Sequence, residues 1–359
     1  MEGMVKESLA QFYKGKKVFV TGHTGFKGTW LCGLLQKLGA ETIGYALPPA
    51  TVESGRFFEA VQGSSLHSME GDVRDLSHLR AAMEKYSPEI VLHLAAQPIV
   101  LESYKDPVLT YETNVMGTVN VLECVRQTES VKSFLNVTTD KVYENKEWPW
   151  GYRENEPLDG YDPYSNSKSC SELVTHSYKK SFFADGRCAI STARAGNVIG
   201  GGDFALNRIV PDCIRAALKG ETIEVRNPNS TRPYQHVLEP LCAYLLIVQA
   251  QYEDGTYADW YNVGPDEYGC VTTGELVDTF CRLWGEGLTW KNVSVENPHE
   301  ANFLKLDCSK IKSSLGWKPR WHIEDALQKT VDFAKVMRQD EDLGKIMDEQ
   351  IEEFLRRDR

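Results

Sequence analysis

The sequence has no C-x-x-C pair and no His/Cys spacing of the kind that holds zinc, although nine cysteines are scattered from Cys32 to Cys308. No metal site is expected, and reduced thiols filling core positions fit a cytoplasmic protein. No apolar run is long enough to span a bilayer, and the opening M-E-G-M-V-K-E-S-L-A-Q-F-Y has no signal core, so neither a membrane partner nor export is expected. Positive charge is also short: 40 Lys and Arg stand against 51 Asp and Glu, a formal net charge of -11. That balance argues against nucleic acid as a partner, and any anionic ligand must meet a few placed basic residues. No internal repeat or low-complexity tract interrupts the chain. What remains is 359 residues of 42% hydrophobic content, enough to bury one large core and a smaller satellite.

From Lys16 short β-branched apolar runs alternate with longer helical patterns: K-K-V-F-V-T, E-T-I-G-Y-A-L, S-L-H-S-M-E-G-D, E-I-V-L-H-L-A-A, S-F-L-N-V-T-T and C-A-I-S-T-A-R. The alternation predicts an α/β fold, a doubly wound parallel sheet of Rossmann-like type, followed by a smaller C-terminal substrate domain. Residues 1–200 are expected to bind a dinucleotide, 236–263 to return to that domain, and 201–359 mainly to bind substrate. Val115, Val119, Leu122 and Val125 form a helical stripe in a segment from Pro107 to Thr128, and Ile323 to Arg359 reads as a charged amphipathic helix or pair of helices.

The first strand runs into T-G-H-T-G-F-K-G, which sets Gly22, Gly25 and Gly28 at a strand-to-helix turn. Glycines there let the backbone approach a pyrophosphate, whose charge the helix start meets with amides and dipole. Such spacing is common, but its position after the first strand, before a helix with Leu31, Leu34, Leu35 and Leu38 on one side, favours a nucleotide site. No acid stands at Tyr45 or Ala46 to close the second strand, which leaves NAD against NADP open. Asp72 ends the third strand, where it either reaches an adenine or caps the next helix. Ala95, Ala96 and Gln97 end the fourth, small enough for close cofactor approach.

Tyr164 and Lys168 in Y-S-N-S-K share a helix face about one turn apart, so an ammonium can stabilise a phenolate. The same spacing recurs at Tyr13 and Lys17, so context decides: Tyr164 follows Asp162 and Pro163, a helix cap and first-turn proline. Upstream, the fifth strand delivers Thr139, Asp140 and Lys141 to the carboxyl end of the sheet, where ligands of such folds bind.

Together G-H-T-G-F-K-G, L-H-L-A-A-Q, V-T-T-D-K-V-Y, Y-S-N-S-K and R-A-G-N-V-I-G-G-G-D resemble the nucleotide-sugar 4,6-dehydratases among the extended short-chain dehydrogenases, in order from about Lys16 to Trp321. Where relatives acting on thymidine-linked glucose carry Asp-Glu after the threonine, this chain has Asp140-Lys141, the pair of the branch acting on cytidine diphosphate glucose. The resemblance implies NAD as cofactor, with Gly22, Thr24, Gly25, Phe26, Gly28, Asp72, Val73, Ala95, Ala96, Gln97, Asn114, Tyr164 and Lys168 around it. It implies that Tyr164 takes the C4 hydroxyl proton beside Thr139 and Lys168, while Lys141 and Asp140 serve as base and acid for the C5/C6 elimination. A phenol doing this must titrate well below about 10, and Lys141 must be neutral, which crowding by Lys168 and burial would favour. Asn197, Arg208, Arg232, Tyr234, His236 and Glu300 match substrate-holding positions, and a homodimer through the helices near Thr110–Thr128 and Tyr164–Phe182 is implied as well.

Overall fold

The computed structural model describes residues 9–293 and 303–356. Its first half alternates β1 (Lys17–Thr21), α1 (Phe26–Lys37), β2 (Glu41–Ala46), α2 (Val52–Glu59), β3 (Leu66–Glu70), α3 (Leu76–Tyr86) and β4 (Ile90–His93). There follow α4 (Val100–Lys105), α5 (Pro107–Tyr111), a π turn at Glu112–Met116, α6 (Gly117–Gln127), β5 (Ser133–Thr139), a 3-10 turn at Asp140–Val142, α7 (Pro163–Phe182) and β6 (Ala189–Ala195). The stripe expected from Pro107 to Thr128 is therefore broken by one wide turn. Leu122 and Val125 are buried, while Val115 and Val119 are only partly covered. An extra residue in a turn rotates the rest of the helix and shifts its apolar face.

The chain continues through β7 (Asn197–Ile199), α8 (Ile209–Lys219), β8 (Ile223–Val225), β9 (Thr231–His236), α9 (Leu238–Glu253) and β10 (Trp260–Val263). It ends with β11 (Cys270–Thr272), α10 (Thr273–Trp284), β12 (Trp290–Asn292), α11 (Ser309–Leu315), α12 (Ile323–Arg338) and α13 (Leu343–Arg356). The main sheet has seven strands in the order β10-β6-β5-β4-β1-β2-β3. All of its pairings are parallel. Strand order reverses between β1 and β4, and there the crevice of a doubly wound sheet opens.

The apolar runs are continuous because both faces of the sheet are covered. Val18, Val20, Leu92 and Leu135 enter one core with α1, α9 and α13, whereas Phe19, Val91 and Phe134 enter the other with α3 and α6. A third cluster joins Cys213 and Ile214 of α8, Leu276 and Phe280 of α10, and Leu327 and Val331 of α12. Residues 236–263 supply α9 and the edge strand β10 to the first body, and α13 lies on α1, where a methyl at Gly33 would come 3.3 Å from Ile351 and Met347. Trp30 of α1, wholly buried, donates its indole N–H to the Gly201 carbonyl at 2.8 Å and ties the first helix to the loop after β7.

Candidate active site

One cleft of about 1400 Å³ runs along the carboxyl ends of β1, β4 and β5 and on to β7 and β9. A single drug-sized ligand fills roughly 300–1,000 Å³, so this cleft has room for two ligands end to end. At its cofactor-sized end the glycine turn is sterically required. Gly22 has φ +76°, and a Cβ there would sit 2.8 Å from the Ala95 amide nitrogen; one on Gly28 would sit 2.1 Å from the Gly22 carbonyl. Gly25 caps α1 without any side-chain hydrogen bond, so the first-turn amides of Phe26 and Lys27 stay available to an anion. Thr24 fastens the turn to β2 by donating to the Leu47 carbonyl at 2.8 Å.

Asp72 and Val73 line the cleft, with the Asp72 carboxylate gripped by Arg74 at 2.6 Å. That pairing, with burial opposing it, holds the carboxyl below its usual range. Asp72 caps no helix; Asp75 does so, accepting from the His78 amide. Where an acid was sought at the end of β2, Tyr45 is buried and donates to the Asp72 carbonyl at 3.1 Å. Ala95, Ala96 and Gln97 line the cleft, but Asn114 does not. Asn114 lies in the π turn, 1% exposed, its Oδ1 accepting from the Gln97 amide at 2.8 Å and its Nδ2 donating to Ser167 at 2.9 Å. Its bonds position the β4 end against α7.

Asp162 caps α7, accepting from the Ser165 amide at 3.0 Å, and Pro163 occupies the first turn. This start sets Tyr164 and Lys168 on the cleft wall. Tyr13, by contrast, is wholly buried and donates to the Leu245 carbonyl at 2.8 Å, so the second Y-x-x-x-K has no site. The phenol and ammonium do not form the expected couple: Lys168 donates to the Val137 carbonyl at 3.2 Å. Burial drives the Tyr164 phenol up to about 12, with a Thr139 hydrogen bond and Arg208 pulling the other way. A tyrosine titrating below its ordinary value is thus not a property of this cleft without a ligand. Burial pushes Lys168 down to about 8, partly offset by Glu172.

The 3-10 turn after β5 turns Lys141 into the cleft and Asp140 beneath its wall, 1% exposed. Asp140 Oδ1 accepts from Thr139 at 3.0 Å; Oδ2 lacks a partner among the described residues and lies 3.4 Å from where a Cβ on the cleft-lining Gly196 would be. Burial raises the carboxyl, against Lys141, Thr139, Arg232 and Lys27.

Beyond the reaction centre, Asn197, Arg208, Arg232 and Tyr234 line the second half of the cleft. Arg232 is 4% exposed and donates to the Thr231 carbonyl at 3.0 Å; Arg208 holds Asp203 at 2.9 Å. His236 departs from expectation. It is wholly buried, its ring 4.7 Å from Trp321 and 5.8 Å from Trp30, because the last residue of β9 packs into the aromatic cluster beside α1. Glu300 lies outside the described residues. Lys27, Asp203 and Arg226 also line the cleft and were passed over in the sequence. Lys27 hid at a variable position of the glycine motif, and nothing in the local pattern marks the other two.

A parallel sheet with its glycine turn at the switch point, opening toward a tyrosine-lysine helix, defines the dinucleotide-binding short-chain dehydrogenase/reductase class. More narrowly, a family model for GDP-mannose 4,6 dehydratase matches residues 19–330, and the chain belongs to that family. It is 47% identical over 339 residues to a CDP-glucose 4,6-dehydratase of Salmonella typhimurium, covering 92% of this chain and 94% of that protein. A UDP-glucose 4-epimerase of Thermus thermophilus, solved in complex with NAD, superposes with TM-score 0.78 at 25% identity, covering 89% of this chain and 99% of that one. DesIV, a dTDP-glucose 4,6-dehydratase of Streptomyces venezuelae, has TM-score 0.78 at 23% identity, covering 91% and 99%, and shares the fold. Among the described residues no helix is long and apolar enough to cross a membrane.

Proposed function

We propose that the protein binds NAD and catalyses 4,6-dehydration of a nucleotide diphosphate hexose, converting CDP-glucose to CDP-4-keto-6-deoxyglucose. The observation that carries this reading is the Thr139-Asp140-Lys141 turn, which faces Tyr164 in the same cleft as the glycine turn. The 47% identical CDP-glucose 4,6-dehydratase supports the choice of base.

The glycine cradle and uncapped helix start fit a dinucleotide pyrophosphate, with Gly22, Thr24, Gly25, Phe26 and Gly28 around it, and Asp72, Val73, Ala95, Ala96 and Gln97 along the rest. Bound NAD would supply hydride exchange, taken from C4 and returned to C6, and a positive charge that favours the Tyr164 phenolate. Tyr164 Oη takes the C4 hydroxyl proton, with Thr139 holding the same oxygen. Lys141 Nζ takes the C5 proton made acidic by the new C4 carbonyl. Asp140, its carboxyl kept protonated more readily by burial, gives a proton to the departing C6 oxygen, which leaves as water. Lys141 then returns a proton to C5, so one water is lost and no net redox change remains. Arg208 and Arg232, with Asn197 and Tyr234, hold the diphosphate and nucleoside.

We further propose residues 1–200, with 236–263, as the cofactor half, and a homodimer formed through α5, the π turn, α6 and α7, where Val108 of α5, Met116 of the π turn and Leu173 and Phe182 of α7 are exposed. The decisive experiment incubates the NAD-loaded protein with CDP-glucose, dTDP-glucose and UDP-glucose separately. A 4-keto-6-deoxy product should form from CDP-glucose with kcat/KM at least about tenfold above the others. Inversion at C4 without loss of water would make the protein an epimerase instead.

A further inference from the structure

The reaction above gives no work to Lys27, a basic side chain of the cleft. Lys27 stands in the first turn of α1, between Phe26 and Gly28, and lines the cleft. Its ammonium makes no hydrogen bond or ion pair with any described residue. The charges it feels, strongest first, are Arg208, Lys168, Asp140 and Asp203. Neither carboxylate is its own: Asp203 is held by Arg208 at 2.9 Å, and Asp140 faces Lys141 and Arg232.

The position discriminates between the two anions that the cleft would hold. A cofactor pyrophosphate is served by the backbone amides of the same turn, and needs no side chain from it. The neighbours of Lys27 belong to the other ligand. The charges that act on it come both from Arg208 of the proposed diphosphate clamp and from Lys168 and Asp140 of the reaction centre, and Lys27, Arg208 and Lys168 line the same cleft. The group of a nucleotide sugar that lies between its reacting hexose and the remainder of its diphosphate is the sugar-linked phosphate. We propose that Lys27 donates a charged hydrogen bond to that phosphate and so sets the depth at which the hexose enters the cleft. This rests on the nucleotide-sugar reading given above. Burial, with Arg208 and Lys168, pushes the ammonium down to about 8, and a phosphate beside it would favour its charged form.

Calorimetry on the NAD-loaded protein with CDP and with CMP separates the phosphates, because CMP lacks the one that carries the sugar. Lys27→Met should weaken CDP binding by about tenfold or more while CMP binding changes less than about twofold, and Lys27→Arg should recover most of the loss. Unchanged NAD affinity in both variants shows that the cleft is still folded. Equal losses for CDP and CMP, an unaltered CDP affinity, or a loss confined to NAD would each overturn the assignment. The wild-type protein is first titrated with CDP, UDP and dTDP. A preference for another base refutes cytidine as the nucleoside, and the diphosphate/monophosphate comparison is then made with that base and still decides the role of Lys27.

Discussion

Glu172, on the helix that presents Tyr164 and Lys168, pairs with Arg194 of β6 at 2.9 Å with neither side chain exposed. Glu172 also accepts from Thr138 at 2.5 Å and Thr192 at 2.7 Å, so α7 is bolted to both β5 and β6. Burial alone would raise this carboxyl, but Arg194 overrides it and holds it well below the usual range. We predict that Glu172→Gln, which strands a buried guanidinium, lowers stability by roughly 3–5 kcal/mol, and that a Glu172→Gln/Arg194→Met double variant loses less than the sum of the single changes. Urea unfolding of the four proteins checks this; additive losses would mean that the pair is not coupled.

The two tyrosines of the repeated spacing should separate cleanly. Tyr164→Phe is expected to cut kcat by at least about a hundredfold with NAD binding retained, the ordinary weight of an acid-base group. Tyr13→Phe should leave kcat intact but cost about 1–2 kcal/mol of stability, because the buried Leu245 carbonyl loses its donor. Steady-state kinetics beside thermal melts would expose any exchange of roles.

Lys141 carries the sharpest chemical prediction. Lys141→Met should still allow oxidation at C4 yet block elimination, so reduced nicotinamide absorbance accumulates on mixing with substrate and solvent deuterium no longer enters C5. Wild type must show deuterium at C5. Near-native exchange in the variant would move the base elsewhere and leave Lys141 as electrostatic support for Asp140.

Acid should destabilise the fold through a buried imidazole. His93 joins Thr21 at 2.7 Å to Thr118 at 3.2 Å, and burial, helped by Lys168, pushes it down to about 3. The unfolded ring takes a proton near its ordinary value and the folded ring refuses it, so stability present at neutral pH drains away as pH falls between those two values. Glu239 works against this, because burial raises its carboxyl to about 7. Replacing only His93 isolates its share: between about pH 7.5 and pH 5.5, His93→Gln should lose roughly 1.4 kcal/mol less than wild type. Matching pH slopes in urea titrations would contradict a neutral buried ring.

Six of the seven main-sheet strands are legible in the sequence: V-F-V of β1 and I-V-L of β4 are apolar at every position because both of their faces are covered, whereas β3, at the sheet edge and mostly exposed, shows only as a short run between helical patterns. The Asp162 cap and the α7 start are legible too, because the cap is local chemistry. What could not be read is direction. Spacing puts Lys168 beside Tyr164 but does not say that its ammonium turns to the Val137 carbonyl. His236 keeps step with Arg232 and Tyr234 along β9, yet a pair of tryptophans distant in sequence claims it for the core. Asn114 sits in a π turn that no periodicity announces, and the climb of the Tyr164 phenol depends on burial that only the folded cleft defines.

The bond from Trp30 to Gly201 crosses the seam between the two ends of the cleft, and Phe57, Phe333 and His236 pack around the same indole. A seam closed in this way resists gaping, so a nucleotide bound at the start of α1 should leave slowly. For an enzyme that consumes a coenzyme in each turnover this would be a bottleneck. In a cycle that hands its electrons back to the same molecule it is an advantage, since a resident NAD can serve many successive sugars while only sugars and water come and go.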